Sequence, residues 1–229
     1  TIGCRVRHTF AHLLEIELML KEPFELPDRI LKVLEENSEF VSFLKNQEII
    51  RPGDTDVDFY IIASGLARIY HRPEGEDGRD ENLLFGERGN IAVSPTSFML
   101  GCPAVMGIAA VTKLTAYKVK GEVVKELYRT DATFCRWLLE LSMLQLAYLE
   151  IRYQYLAPRD AYQRYLNFMR FKTKSFIRRV PGYHIASYLD ISPTTLSLLR
   201  ARYAHDEEKK VEYDKEFLDA IGMTGLAPE

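Results

Sequence analysis

The stretch DATFCRWLLELSMLQLAYLEIRYQYL, residues 131–156, contains neither proline nor glycine and is dominated by strong helix formers. Phe134, Trp137, Leu141, Leu144, Tyr148, Ile151 and Tyr155 fall at alternating steps of three and four residues, the a/d seam of a coiled coil. An unbroken helix of this span is about 39 Å long at ~1.5 Å per residue. That is long for one wall of a small core. It suits a rod that pairs with a copy of itself and joins two domains, which makes those seven residues the expected dimer interface. A single amphipathic helix packed on its own domain is the alternative, and the flanking sequence bears on the choice.

The chain has 229 residues, room for one large domain or two small ones, and is 47% hydrophobic and 28% charged, as in ordinary soluble proteins. No apolar run approaches the ~18 residues of a membrane span, so no membrane partner is expected. Thr1 to Phe10 has no signal-peptide core. Cys4, Cys102 and Cys135 are scattered and odd in number, which points to a reducing, cytoplasmic setting without a disulfide framework. The net charge of −3 is uninformative, but its distribution is not. From Pro158 to His205 nine lysines and arginines face two acids, whereas from Asp206 to Glu229 eight acids face three lysines. A basic segment within a mildly acidic chain is the footprint of a phosphate-backbone binder, although many such runs are simply solvated faces.

Along the chain, Thr9 to Lys21 reads as an amphipathic helix with Phe10, Leu13, Leu14 and Leu18 inward. His8 and His12 share the spacing of a helical metal pair but lack an evident third ligand, so exposed histidines are the simpler reading. After Pro23 and Pro27, Asp28 is the expected cap of a helix from Arg29 to Glu35, and a third short helix is expected at Ser38 to Lys45. From Gln47 to Lys120 the pattern becomes β-rich. Runs at Glu48–Ile50, Phe59–Ala63, Leu66–Tyr70, Leu83–Phe85, Ile91–Val93, Met106–Val111 and Leu114–Val119 are separated by turn residues such as Pro52-Gly53-Asp54 and Ser64-Gly65. Short strands at close spacing predict a small antiparallel barrel or jelly roll. Glu122 to Tyr128 then returns to helix.

Two motifs carry a family resemblance. EIIRPGDTDVDFYIIASGLARIY, Glu48 to Tyr70, resembles the opening of a cyclic-nucleotide-binding β-roll, with the Gly53-Asp54 turn, the strand Phe59 to Ile62, and Gly65 before the next strand. Tight roll corners need φ > 0, which glycine supplies. VPGYHIASYLDISPTTLSLLRAR, Val180 to Arg202, resembles a helix-turn-helix that follows a helix beginning at Arg159. Tyr183 to Leu189 is its first helix, with Ile185, Ala186 and Leu189 inward. Asp190-Ile191 is the turn, and Asp tolerates the left-handed conformation. Ser192 is the N-cap, Pro193 the first helical position, and Thr194 to Arg202 the recognition helix with Leu196 and Leu199 inward. Roll, short helix, long helix and helix-turn-helix together resemble the Crp/Fnr transcription-factor family.

That resemblance implies an α+β fold in three parts: N-terminal helices and a sensor β-roll over 1–130, a dimerisation helix over 131–157, and a helix-turn-helix domain with an acidic tail over 158–229. It implies a homodimer that places two recognition helices in successive major grooves, about 34 Å apart, on a two-fold-related site. Tyr183, Ser192 and Thr195 match the family's phosphate-contacting positions, and Arg178, Arg179 and Arg202 would add charge there. Pro193, Thr194, Ser197 and Leu198 match the base-reading face. The implied partners are double-stranded DNA, a second copy of the chain, RNA polymerase and a small-molecule effector, and no catalytic site is implied.

The sequence also departs from the family. Members that read guanine carry Glu and Arg where this chain has Thr194 and Leu198, so its base specificity is expected to be either low or different from theirs. Members that bind cyclic AMP carry a ribose-binding Glu and a phosphate-pairing Arg where this chain has Ser94 and Ala104. Leu146 and Ala147 stand where polar groups meet the adenine. Without the cation a buried phosphate loses its charge-assisted bond, so cyclic AMP is not the expected effector. The expected pocket is apolar: Leu84, Phe85, Val93, Ser94, Phe98, Ala104, Val105 and Met106. No cofactor is expected. Three scattered cysteines do not supply an iron–sulfur cluster, and His71 and Cys102 are haem-ligand candidates by residue type alone. An enzyme on a cupin-like roll would need clustered ligands, and the roll has one histidine, His71. The remaining alternative is a dimeric small-ligand-binding or scaffold protein with a degenerate DNA-reading head, suggested by Thr194, Leu198 and the acidic tail.

Overall fold

A computed structural model describes residues 27–55, 58–74, 79–88, 90–158, 160–171 and 174–206. The amphipathic stretch from Thr9 to Lys21, the His8/His12 pair and nearly all of the acidic tail lie outside these residues. The chain divides into two compact units, Thr1–Ser142 and Met143–Glu229.

In the first unit, helix α1 (Asp28–Glu36) leads into strands β1 (Ser38–Phe43), β2 (Glu48–Ile50), β3 (Phe59–Ser64), β4 (Ala67–His71), β5 (Glu81–Gly86) and β6 (Ile91–Ala92). Helix α2 (Pro95–Leu100), strands β7 (Gly107–Ala110) and β8 (Leu114–Val119), and helix α3 (Gly121–Thr130) follow. The strands pair antiparallel into two four-stranded sheets, ordered β1-β8-β3-β6 and β2-β7-β4-β5. This is the expected roll.

Two local expectations fail at its entrance. The cap of α1 is at Pro27 without a side-chain bond, and Asp28 instead sits in the first turn, where its charge suits the helix dipole. Ser38 to Phe43 is strand rather than helix. It pairs with β8 from Ser38↔Val119 to Phe43↔Leu114, so the ladder offered by a distant segment decides its conformation.

Apolar side chains of both sheets, among them Ile50, Ile61, Ile62, Leu66, Ile108, Leu114 and Val119, are fully buried. Gly65 turns the β3–β4 corner at φ +92°, where a Cβ would lie 2.4 Å from the Lys113 carbonyl oxygen. Gly107 carries the ring of Tyr70 against its backbone; a Cβ there would lie 2.3 Å from that ring.

Helix α4 (Ala132–Leu156) runs 25 residues without a break, and the division between the two units falls inside it. Asp131 starts it: its Oδ1 accepts the backbone N–H groups of Thr133 and Phe134 at 3.0 Å each. Arg29 pairs with the same carboxylate, and that bond, with the two backbone donors, holds Asp131 below its ordinary pKa.

The second unit continues with α5 (Ala161–Phe171), α6 (Lys174–Arg179), α7 (Gly182–Tyr188) and α8 (Pro193–His205). The expected start of α5 at Arg159 lies outside the described residues; Asp160 Oδ1 accepts the Tyr162 N–H at 3.1 Å in the first turn. Tyr165, Leu166, Phe168, Phe176, Val180, Ile185, Ala186, Leu189, Leu196 and Leu199 form the core. The two expected helices are present, the first over Gly182–Tyr188 with Leu189 as its C-cap and the second extending past Arg202 to His205. Asp190 adopts φ 53° in the turn, and the Ser192 hydroxyl accepts the Thr195 N–H at 3.0 Å ahead of Pro193.

Candidate nucleic-acid interface and sensor roll

Pro193, Thr194, Ser197 and Leu198 are all exposed on α8, while Leu196 and Leu199 anchor its opposite face. Ser197 Oγ donates back to the Pro193 carbonyl at 3.1 Å, so its proton is used within the helix. The flanking groups are of two kinds. Arg178 and Arg179 close the last turn of α6 and are exposed, as is Tyr183, whose ring centroid lies 4.2 Å from that of His184. Ser192 and Thr195 instead spend their hydroxyls on each other and on the cap, at 2.8 Å. Arg202 is turned onto the ring of Tyr162, 3.9 Å from its centroid, and the Tyr162 hydroxyl donates to Asp206 at 3.1 Å.

Arg164, one of the basic residues that marked the segment in sequence, has a structural task. Its guanidinium donates to the carbonyls of Leu189 (3.0 Å), Asp190 (3.2 Å) and Pro158 (2.9 Å), which satisfies the end of α7 and pins the turn.

The expected seam on α4 needs correction. Phe134 is 0% and Trp137 2% exposed within the single chain, with ring centroids 5.4 Å apart. They belong to the protomer's own core and have no surface to offer a partner. Leu141 is half-buried, and the side chains of Leu144, Tyr148, Ile151 and Tyr155 lie outside the described set. Among the described side chains of α4, Leu139, Met143, Leu146 and Tyr153 are the exposed large apolar ones, spaced by four, three and seven, a parallel stripe in a different register.

In the roll, Leu84, Phe85, Ser94, Phe98 and Ala104 are buried and Val93 and Met106 half-buried. Val105 is 58% exposed, which removes it from an enclosed pocket. It follows the sharp turn that Cys102 and Pro103 make after α2, where its N–H reaches Thr96 Oγ1 at 3.4 Å. Ser94 caps α2 by accepting the Ser97 N–H at 3.4 Å. Phe98 packs on Phe59, ring centroids 6.0 Å apart, with Lys125 Nζ 5.4 Å from its own centroid. From Asn90 to Thr112 the chain has no charged residue.

Charge in the roll is concentrated elsewhere, in a network that the sequence reading missed. Tyr70, fully buried, donates to Glu48 Oε1 at 2.5 Å, and Arg72 donates to the same oxygen at 3.0 Å. Arg72 also binds Asp80 at 2.9 Å, and Arg68 binds Asp80 at 2.5 Å and Asn82 at 3.0 Å. The two guanidinium carbons lie 4.2 and 5.0 Å from the Tyr70 centroid. The hydrogen bond from Tyr70, with help from Arg72, holds Glu48 below its ordinary pKa. Burial alone would raise Asp80, but the bonds from Arg72 and Arg68 outweigh it and the net shift is downward. Burial, then the Glu48 bond, pushes the Tyr70 phenol up. The signal was present in sequence as Arg68, Tyr70 and Arg72 at strand spacing, three side chains on one face of β4 and its extension.

Among the described residues no cluster of three His, Cys, Asp or Glu is placed to hold a metal, and no helix is long and apolar enough to cross a membrane.

Comparison with known proteins agrees with this geometry. Residues 40–131 match the cyclic nucleotide-binding domain family. The fold is similar to that of FixK2 from Bradyrhizobium japonicum, at 18% identity and TM-score 0.63 over 74% of this chain and 85% of that one. It is similar to CLP, the c-di-GMP responsive global regulator of Xanthomonas campestris, at 17% identity and TM-score 0.62 over 79% and 93%. A protein from Eubacterium rectale described as a transcriptional regulator of the Crp/Fnr family gives TM-score 0.65 at 14% identity over 86% and 95%. No curated protein matches the sequence significantly. Residues 40–131 thus resemble a cyclic nucleotide-binding domain, and the fold is similar to that of the Eubacterium rectale protein described as a Crp/Fnr regulator.

Proposed function

We propose that this chain is a DNA-binding transcription regulator of the Crp/Fnr type, without catalytic activity, that works in the cytoplasm as a homodimer. The observation that carries the reading is the head: a capped, left-handed-turn helix-turn-helix whose second helix exposes Pro193, Thr194, Ser197 and Leu198. Arg178 and Arg179, exposed in the last turn of α6, engage phosphates. Two copies pair through α4, and the exposed Leu139, Met143, Leu146 and Tyr153 are the residues that meet. An effector in the roll shifts a two-state equilibrium that α4 relays to the heads, to the extent that it binds one state better than the other. RNA polymerase is the downstream partner this reading implies.

Cyclic AMP is not that effector. Ser94 spends its hydroxyl on a helix cap, Ala104 offers no cation, and Asn90 to Thr112 is uncharged. A phosphate buried there would remain unpaired. Isothermal titration with cyclic AMP should give no binding at micromolar concentrations; micromolar affinity would refute this part of the reading.

The second reading, a dimeric small-ligand-binding or scaffold protein with a degenerate head, is favoured by Thr194 and Leu198, both uncharged and exposed on α8. Electrophoretic shifts with chromosomal fragments at several salt concentrations separate the two. A regulator retains a few fragments and loses affinity steeply with salt. A scaffold retains none.

A further inference from the structure

The outward stripe of α8 consists of Thr194, Ser197, Leu198 and Ala201, at the i, i+3, i+4, i+7 spacing of one helix face, and all four are exposed. Leu198 is the notable member. It is 67% exposed, whereas the helix buries Leu196 and Leu199 almost completely. A protruding leucine at the centre of a polar-flanked helix gains nothing from its own fold.

The helix has two arginines, and both are drawn off the stripe. Arg202 lies over the ring of Tyr162 on α5, and the Nη1 of Arg200 lies 3.4 Å from where a Cβ on Gly182 of α7 would stand. Ser197 has its proton tied to the Pro193 carbonyl. The stripe therefore presents methyl groups and hydroxyl oxygens, with no guanidinium, ammonium, amide or carboxylate.

In the major groove the four base pairs differ in donors and acceptors, and thymine alone adds a C5-methyl group. A guanine edge, with two acceptors, needs a forked donor that this stripe lacks. A cytosine amine is best met by a carboxylate, which the stripe also lacks. A thymine methyl needs only an apolar surface, and Leu198, Ala201 and the Thr194 methyl supply one.

We infer that α8 reads thymine methyl groups, with Leu198 as the specificity-determining residue, so that the preferred half-site is built on T·A pairs. This rests on the DNA-binding reading above and names the class of duplex it takes. Discrimination comes from burying a few methyl-sized groups, and each is worth about fourfold in affinity. The phosphate contacts from the arginine flank supply the larger, sequence-independent share.

The test uses the full chain and duplexes with a random core long enough for two half-sites. Enriched duplexes should carry thymines at the positions facing α8. The best one is then resynthesised with deoxyuridine in place of thymidine in both half-sites, which removes the C5-methyl and leaves every hydrogen-bonding group in place. Binding should weaken about fourfold for each contacted methyl. Leu198→Ala, a surface change that does not threaten folding, should bind the thymidine and deoxyuridine duplexes within about twofold of each other. Leu198→Arg should shift enrichment toward guanine at the facing position.

Enrichment of guanine by the unaltered chain, or equal affinity for the thymidine and deoxyuridine duplexes, overturns the inference while DNA binding stands. Failure to enrich any duplex, with no salt-dependent retention, overturns the DNA-binding reading and this inference with it.

Discussion

The roll and the reading head both contain arginine, yet they use it in opposite ways. In the roll, Arg68 and Arg72 are locked against Asp80 and Glu48 around a buried tyrosine, and the uncharged stretch from Asn90 to Thr112 lies apart in sequence from that network. In the head, Arg164 is turned to carbonyls and Arg202 to a tyrosine ring, and Arg178 and Arg179 are exposed in the last turn of α6. The roll has spent its cations on holding strands together. The head exposes Arg178 and Arg179 at the end of α6. On the proposed reading, phosphate recognition belongs to the head rather than to the roll, and the head's selectivity comes from shape and methyl contacts.

The largest expected effect is in the roll. Gly107→Ala drives a Cβ into the ring of the fully buried Tyr70, and overpacking of this kind costs about 3 kcal/mol. Urea unfolding should show an early transition for the roll with the helical signal of the second unit retained. A single late transition would mean that Tyr70 is freer than its burial implies.

In the head, Asp190→Val puts a β-branched residue at φ 53° and should lower stability by about 1–2 kcal/mol, whereas Asp190→Gly should match or slightly exceed the parent. Thermal unfolding checks both. Loss of Arg178 and Arg179 together, as alanines, should weaken binding to all duplexes alike, by about tenfold at moderate salt, and flatten the log–log salt slope by about 0.9 per phosphate contact. A sequence-dependent loss would place these arginines on bases instead.

The smallest effect is a pH dependence confined to the roll. Glu48 and Asp80 both titrate below their ordinary values of 4.5 and 3.8, so their contribution is complete above the ordinary values and is lost as pH falls through the depressed folded ones. Tyr70→Phe removes the donor that most lowers Glu48 and should shrink the acid sensitivity by about 1 kcal/mol. Stability that is flat on acidification to about pH 3 would show the network to be energetically idle.

The head was far more legible than the roll because its signals are local. Ser192, Pro193 and Asp190 each act within a turn of their own position, and the structure places each as the residue type dictates. In the roll the strand runs were visible, but pairing was not. Ser38 to Phe43 looked helical because its partner, Leu114 to Val119, lies far away in sequence. The Glu48, Arg68, Tyr70, Arg72 and Asp80 network escaped notice for the same reason, since only the β2-β7-β4-β5 sheet brings its members together. On α4 the seam expected from periodicity includes Phe134 and Trp137, which are buried within the protomer. Two equivalent stripes run along that helix, and sequence spacing alone does not say that Phe134 and Trp137 belong to the protomer's core while Leu139 and Met143 are exposed.

The most direct test of paired, groove-reading heads is a spacing scan. Two inverted copies of an enriched half-site are set one helical turn apart, centre to centre, then separated by a further half turn of duplex, and affinity is measured for each. Two heads held by one dimer should lose at least about tenfold at the half-turn offset, because the second head then faces the wrong side of the duplex. Equal affinity at both spacings would mean that the heads act singly, and would contradict the dimer on which the regulator reading depends.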